Sequence, residues 1–122
     1  MKALTTTKDI QWYLQELDRY INSMDEEEAK SYVPYNFHTQ GYTLISLILQ
    51  YHDEDTTPHV LFYKECPHIH AYINGTRYSF AFDKGNGGFY AVDRNVNLVK
   101  FFCCSSKLVE QFNKYIIREE GD

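Results

Sequence analysis

HVLFYKECPHIHAYINGTRYSFAFD, residues 59–83, sets two alternating runs on either side of Asn74-Gly75. Both central positions of a type I′ turn need positive φ, which Asn and Gly accept, so Asn-Gly between alternating runs is the strongest short hairpin signal a sequence carries. A two-residue loop pairs Ile73 with Thr76, Ala71 with Tyr78, and Ile69 with Phe80. Side chains alternate along a strand, so this mostly apolar set shares the face turned to the core. The opposite face then carries Tyr72 across from Arg77, His70 across from Ser79, and His68 across from Ala81. One further step sets Cys66 across from Asp83, although Pro67 weakens it because proline cannot donate to a ladder.

Working outward, residues 59–64 read as a strand before the hairpin, while residues 89–92 and 96–102 read as strands after it. Asp83 to Gly88 is a loop and Asp93-Arg94-Asn95 a turn. Gly85-Asn86-Gly87-Gly88 leads into a strand rather than a helix, so it reads as a hairpin loop and not a phosphate cradle. Residues 42–51, YTLISLILQY, also read as a strand, with Thr43, Ile45, Leu47, Leu49 and Tyr51 on one face; a short buried helix is the other reading of such a run. The spacing predicts an antiparallel meander of five to six strands.

A helix is predicted over about residues 7–24, opened by Thr6 with Asp9 three positions on. Its apolar stripe is Ile10, Tyr13, Leu14, Leu17, Tyr20, Ile21 and Met24, and Trp12 falls off that stripe beside Glu16 and Arg19. Residues 25–41 read as a connection with a short edge strand around Tyr32-Val33 and Tyr35–Phe37. A last helix, capped by Ser105 or Ser106 and running to about Arg118, carries Leu108, Val109, Phe112, Tyr115 and Ile116. Two amphipathic helices need an apolar surface, and one sheet face supplies it. The expected fold is therefore a single α+β domain over residues 1–122, with both helices on one face of the sheet.

The chain has 122 residues, 43% hydrophobic and 24% charged, which suits one domain with a real core and argues against disorder. No apolar run has the length of a membrane span, and the N-terminal residues lack the apolar core of a signal peptide. The expectation is a cytoplasmic protein that does not engage a membrane. Three cysteines, with Cys103 and Cys104 adjacent, do not form a disulfide framework. A net charge of −5 opposes direct nucleic-acid binding and suits a basic partner. Acidic residues gather at Asp25-Glu26-Glu27-Glu28, Asp53-Glu54-Asp55 and Glu119-Glu120-Asp122. Eleven Tyr and eight Phe fit half-buried strands and also protein interfaces.

Candidate chemistry gathers on the polar face of the hairpin. Cys66, His68, His70 and Asp83 are donor types that suit zinc, although Cys-x-x-Cys spacing is absent. Tyr72 and Arg77, with His70, would suit a phosphate or carboxylate, but no nucleophile stands beside them. Cys103-Cys104 precedes the last helix, where a thiolate is stabilised, yet the pair follows a core-like strand and reads as buried. With no catalytic motif in hand, the reading taken forward is an acidic, non-catalytic protein-binding module of the inhibitor or immunity type, without a cofactor. Its partner is expected to be a basic protein, met by Trp12, Glu16, Arg19 and the run Asp25, Glu26, Glu27, Glu28. A homo-oligomer is open on this reading. The alternative is a metal- or small-anion-binding protein or hydrolase that uses the Cys66, His68, His70, Asp83 face.

Overall fold

A computed structural model describes residues 2–23, 37–83, 88–103 and 107–118; within them, the side chains of Phe37, Phe101 and Cys103 are left aside. The strands are β1 (Lys2–Ala3), β2 (His59–Tyr63), β3 (Cys66–Ile73), β4 (Thr76–Asp83), β5 (Gly88–Asp93) and β6 (Leu98–Cys103). They form one antiparallel sheet in the order β1-β2-β3-β4-β5-β6. The meander and the α+β class follow the sequence expectation. Helices α1 (Thr7–Asn22), α2 (Phe37–Tyr51) and α3 (Leu108–Phe112), the last continuing as a π-helical turn over Asn113–Ile117, complete the fold.

The central hairpin has the expected register, Ile69↔Phe80, Ala71↔Tyr78 and Ile73↔Thr76. Asn74 and Gly75 both take positive φ, 52° and 79°. The turn is also held from outside, because the Asp53 carboxylate accepts from the backbone N–H groups of Asn74 and Gly75 at 2.8 and 2.9 Å. Asp53, the first residue of one acidic cluster, is thus bound into the fold.

Thr6 and Asp9 close a capping box on α1. Hydrogen bonds from the Thr5 backbone first, then from Thr6, hold the Asp9 carboxyl down at about 2. Ile10, Tyr13, Leu17 and Ile21 are buried, and the Tyr13 hydroxyl donates to the Pro67 carbonyl at 3.3 Å. Burial pushes the Tyr13 phenol up.

Residues 42–51 are helical, not a strand, and Phe37–Gly41 form the start of that helix rather than part of a connection or edge strand. The buried positions explain why. Gly41, Leu44, Ile45 and Ile48 fall on one side at helical spacing, whereas the strand reading would have buried Thr43 and Leu49 with Ile45. A run that is apolar on both alternating sets satisfies either period, and here the helix wins because it can lie across the sheet. Gly41 permits that approach: a Cβ there would meet Leu14 Cδ2 at 3.0 Å and Phe89 Cζ at 3.3 Å.

Two further boundaries move. The last strand begins at Leu98, because Asp93 organises the turn before it: its carboxylate accepts from the N–H groups of Asn95 and Asn97, and Val96 takes φ 62°. The first helix ends at Asn22, with Ser23 as its cap. Met24, the edge strand around Tyr32-Val33, the acidic run Asp25–Glu28, the caps Ser105 and Ser106, Cys104 and the acidic residues Glu119, Glu120 and Asp122 lie outside the described residues.

A single core joins α1, α2 and α3 to the inner sheet face through Val60, Ile69, Ala71, Ile73, Tyr78, Phe80, Phe82, Phe89, Ala91 and Phe102. Phe112 of α3 stacks on Phe80, with Tyr51 and Phe102 tilted beside it. Among the described residues no helix is long and apolar enough to cross a membrane.

Candidate binding face

With the helices on one side, the outer sheet face carries the partly exposed side chains. The registers arrange it in transverse rows. Tyr72 pairs with Arg77, and the β4–β5 ladder ends at Tyr78↔Asp93, after which Arg94 follows in the turn and lines one pocket with Tyr72 and Arg77. The next row runs His59, His70, Ser79, Val92 and Leu98. Beyond it come Leu61 and His68 on one side and Ala81 and Tyr90 on the other. The last row begins with Tyr63↔Cys66 and ends with Asp83↔Gly88. Large apolar side chains stand open here: Tyr63 is 60% exposed, Leu98 65% and Val96 79%. A shallow groove of about 430 Å³ crosses the face between Leu61, Tyr63, Tyr90, Val92 and Val96, with Arg77 and Arg94 at one end.

The proposed zinc donors do not all share a cavity. Cys66, His68 and Asp83 line one cleft of about 310 Å³ with Tyr20 and Tyr90, while His70 lies in the apolar groove. The β3–β4 pairing stops at Ile69↔Phe80, so Cys66 and Asp83 meet at a cleft rather than as ladder partners. Cys66 is buried with its Sγ 3.9 Å from the Phe82 carbonyl, and burial pushes its thiol up to about 11. A thiol that holds its proton at neutral pH is a poor ligand and a poor nucleophile. Among the described residues no three His, Cys, Asp or Glu side chains are placed to hold a metal ion together.

The two histidines are positioned by hydrogen bonds. His68 Nδ1 donates to the Cys66 carbonyl at 2.9 Å, which leaves Nε2 to accept from the Tyr90 hydroxyl at 3.4 Å. His70 Nδ1 accepts from Arg77 Nη2. Burial first, then the Arg77 guanidinium, lowers His70 to about 4, so it is neutral at pH 7. His70 is therefore a support for Arg77, not an acid or base near neutral pH.

Arg94 and Tyr90 escaped the sequence reading. Arg94 shares with Tyr72 and Arg77 a pocket of about 370 Å³. The signal for it was the β4–β5 register, which a glycine-rich loop of uncertain length concealed. Nothing in Asp93–Asn97 marked Val96 for a left-handed backbone.

Trp12 is half-buried, its ring packed edge-on against Phe62 at 5.9 Å with the Lys2 ammonium 5.0 Å above it. Glu16 and Arg19 are ion-paired at 2.8 Å and line an open pocket of about 460 Å³ with Tyr20, Ser23, Phe62 and Glu65. The three proposed contact residues of α1 are thus gathered around Phe62, near the tip of β2 and β3. The chain matches no protein-family model and no curated protein sequence.

Proposed function

We propose that this chain is a small protein-binding module of the inhibitor or immunity type, which acts by covering a partner rather than by catalysis. The observation that carries this reading is the outer sheet face, which leaves Leu61, Tyr63, Tyr72, Val96 and Leu98 exposed, three of them (Leu61, Tyr63 and Val96) lining one groove. Exposed aromatic and aliphatic groups ringed by polar ones are the makings of an interface core. Tyr and Arg, both present here, dominate binding energy where interfaces are measured. The net charge of −5 favours a basic partner, and Glu16 and Arg19 of α1 line a second open pocket around Phe62, against which Trp12 packs.

The test is capture from the native host by tagged protein, wild type against Leu61→Asp/Tyr63→Asp, with cross-linking to locate the contact. A partner retained by wild type, lost by the double variant and cross-linked to β2 or β3 supports the reading. Equal retention by both proteins overturns the choice of face, and a partner consumed as a substrate overturns the non-catalytic class.

A second reading has one observation in its favour: Cys66, His68 and Asp83 do line a common cleft. On that reading the protein binds zinc there, with His70 drawn in. Stoichiometric zinc by elemental analysis of protein purified without chelator is its requirement.

A further inference from the structure

The row Tyr72–Arg77–Arg94 runs against the chain's overall sign. The molecule carries −5, yet Arg77 of β4 and Arg94, in the turn that follows β5, line one pocket together with Tyr72. Like charges held around one pocket repel. Arg77 gains no compensating carboxylate: among the described residues neither it nor Arg94 has an acidic side chain within ion-pair distance. The acidic residue nearest in sequence, Asp93, lines the adjoining groove but forms no ion pair with either arginine, and its Oδ1 accepts from the N–H groups of Asn95 and Asn97. The group that Arg77 does touch is the neutral His70, which orients the guanidinium without discharging it. Water-exposed arginines tolerate this arrangement, and arginine matches the oxygens of carboxylate or phosphate in pairs.

We propose that Tyr72, Arg77 and Arg94 form an oxyanion subsite, and that its ligand is a carboxylate carried next to an apolar group. The adjoining groove argues for the second half. Its walls at Leu61, Tyr90, Val92 and Val96 are largely apolar, and it opens onto Arg77 and Arg94 at one end. A bare phosphate would fill the row and leave the groove wet. A carboxylate with an aromatic or aliphatic neighbour fills both, whether it comes from a partner's chain terminus, an acidic side chain beside an apolar one, or a small organic acid. Tyr72 donates its hydroxyl as the third contact, and no covalent step is involved. This subsite goes beyond the protein-binding reading: small probes test it without any partner, so either idea can fail alone.

The experiment is a titration of isotope-labelled protein, followed by amide and guanidinium resonances at constant ionic strength. The probes are inorganic phosphate, acetate and 3-phenylpropionate, against wild type, Arg94→Gln and Arg77→Gln. Arg94 is exposed, with no hydrogen bond or ion pair to a described residue, so Arg94→Gln leaves the fold intact and the spectrum verifies this. The expected result is saturable shifts at Tyr72, Arg77 and Arg94 with phosphate and 3-phenylpropionate. The phenyl acid also moves Leu61, Val92 and Val96 and binds several-fold more tightly than acetate. Arg94→Gln weakens both probes about tenfold, the loss of one charged hydrogen-bonding partner. Shifts that do not saturate, or that persist unchanged in Arg94→Gln, overturn the subsite. Saturation by phosphate with no response in the groove to 3-phenylpropionate overturns the carboxylate assignment.

Discussion

Val96 is a β-branched residue held at φ 62° and left 79% exposed. The left-handed region costs a non-glycine residue about 1–2 kcal/mol, and nothing in the burial of Val96 returns that energy. A side chain kept open on a strained backbone suits a surface that is covered on binding. Val96→Gly should therefore raise stability by about 1 kcal/mol in denaturant melts while weakening partner binding. If it leaves both unchanged, Val96 has no part in the face. His70 supplies a second residue-level outcome. Its folded value, about 4, lies below the ordinary 6.5, so the unfolded chain takes up a proton that the folded protein refuses. Stability contributed by neutral His70 is present above pH 6.5 and is lost as pH falls toward 4. His70→Gln should flatten the stability–pH curve in that window; an unchanged slope removes His70 as its source. His70 was legible as a neighbour of Tyr72 and Arg77 from the hairpin register. The protonation of His70 was not, because it depends on how deeply the folded sheet buries the ring.

At the scale of elements, Asn74-Gly75 and the alternation around it were enough to register β3 against β4 from Ile73↔Thr76 to Ile69↔Phe80, since the two-residue turn leaves one register, but not to show that the ladder stops before His68 and Cys66. YTLISLILQY was not decidable in the same way. Its apolar residues occupy both alternating faces, so the period did not decide, and in the folded helix Gly41 sits against Leu14 and Phe89. That seat is itself a prediction. Gly41→Val forces a side chain into a space where even a Cβ is tight, and it should destabilise by about 1–3 kcal/mol in urea unfolding. A fully native melting point would mean that α2 shifts freely and that the close approach is incidental. The cap of α1 is simpler to test, because Thr6→Ala loses the Thr6 hydroxyl that accepts from the Asp9 N–H and keeps the Asp9 carboxylate on the backbone N–H of residue 6. About 1 kcal/mol is the expected cost.

The whole molecule is built one-sidedly, with α1, α2 and α3 filling the inner sheet face and the outer face left to solvent. That asymmetry divides the roles of its charged and apolar residues. Short-range packing on the outer face should govern how long a partner stays, and the acidic surface should govern how fast it arrives. Leu61→Ala and Tyr63→Ala are expected to speed dissociation, each costing about 2 kcal/mol of binding if it sits at the interface centre, with no loss of fold because both are exposed. Trp12→Ala is expected to cost stability as well, since its ring packs on Phe62. Neutralising Asp25, Glu26, Glu27 and Glu28 together should slow association and flatten its salt dependence while dissociation stays as it was. Stopped-flow mixing at low and high salt separates the two rates. An association rate that ignores both the acidic run and the salt would show that the partner is not basic at its contact. The outer face would then stand as an interface chosen by shape and apolar area alone.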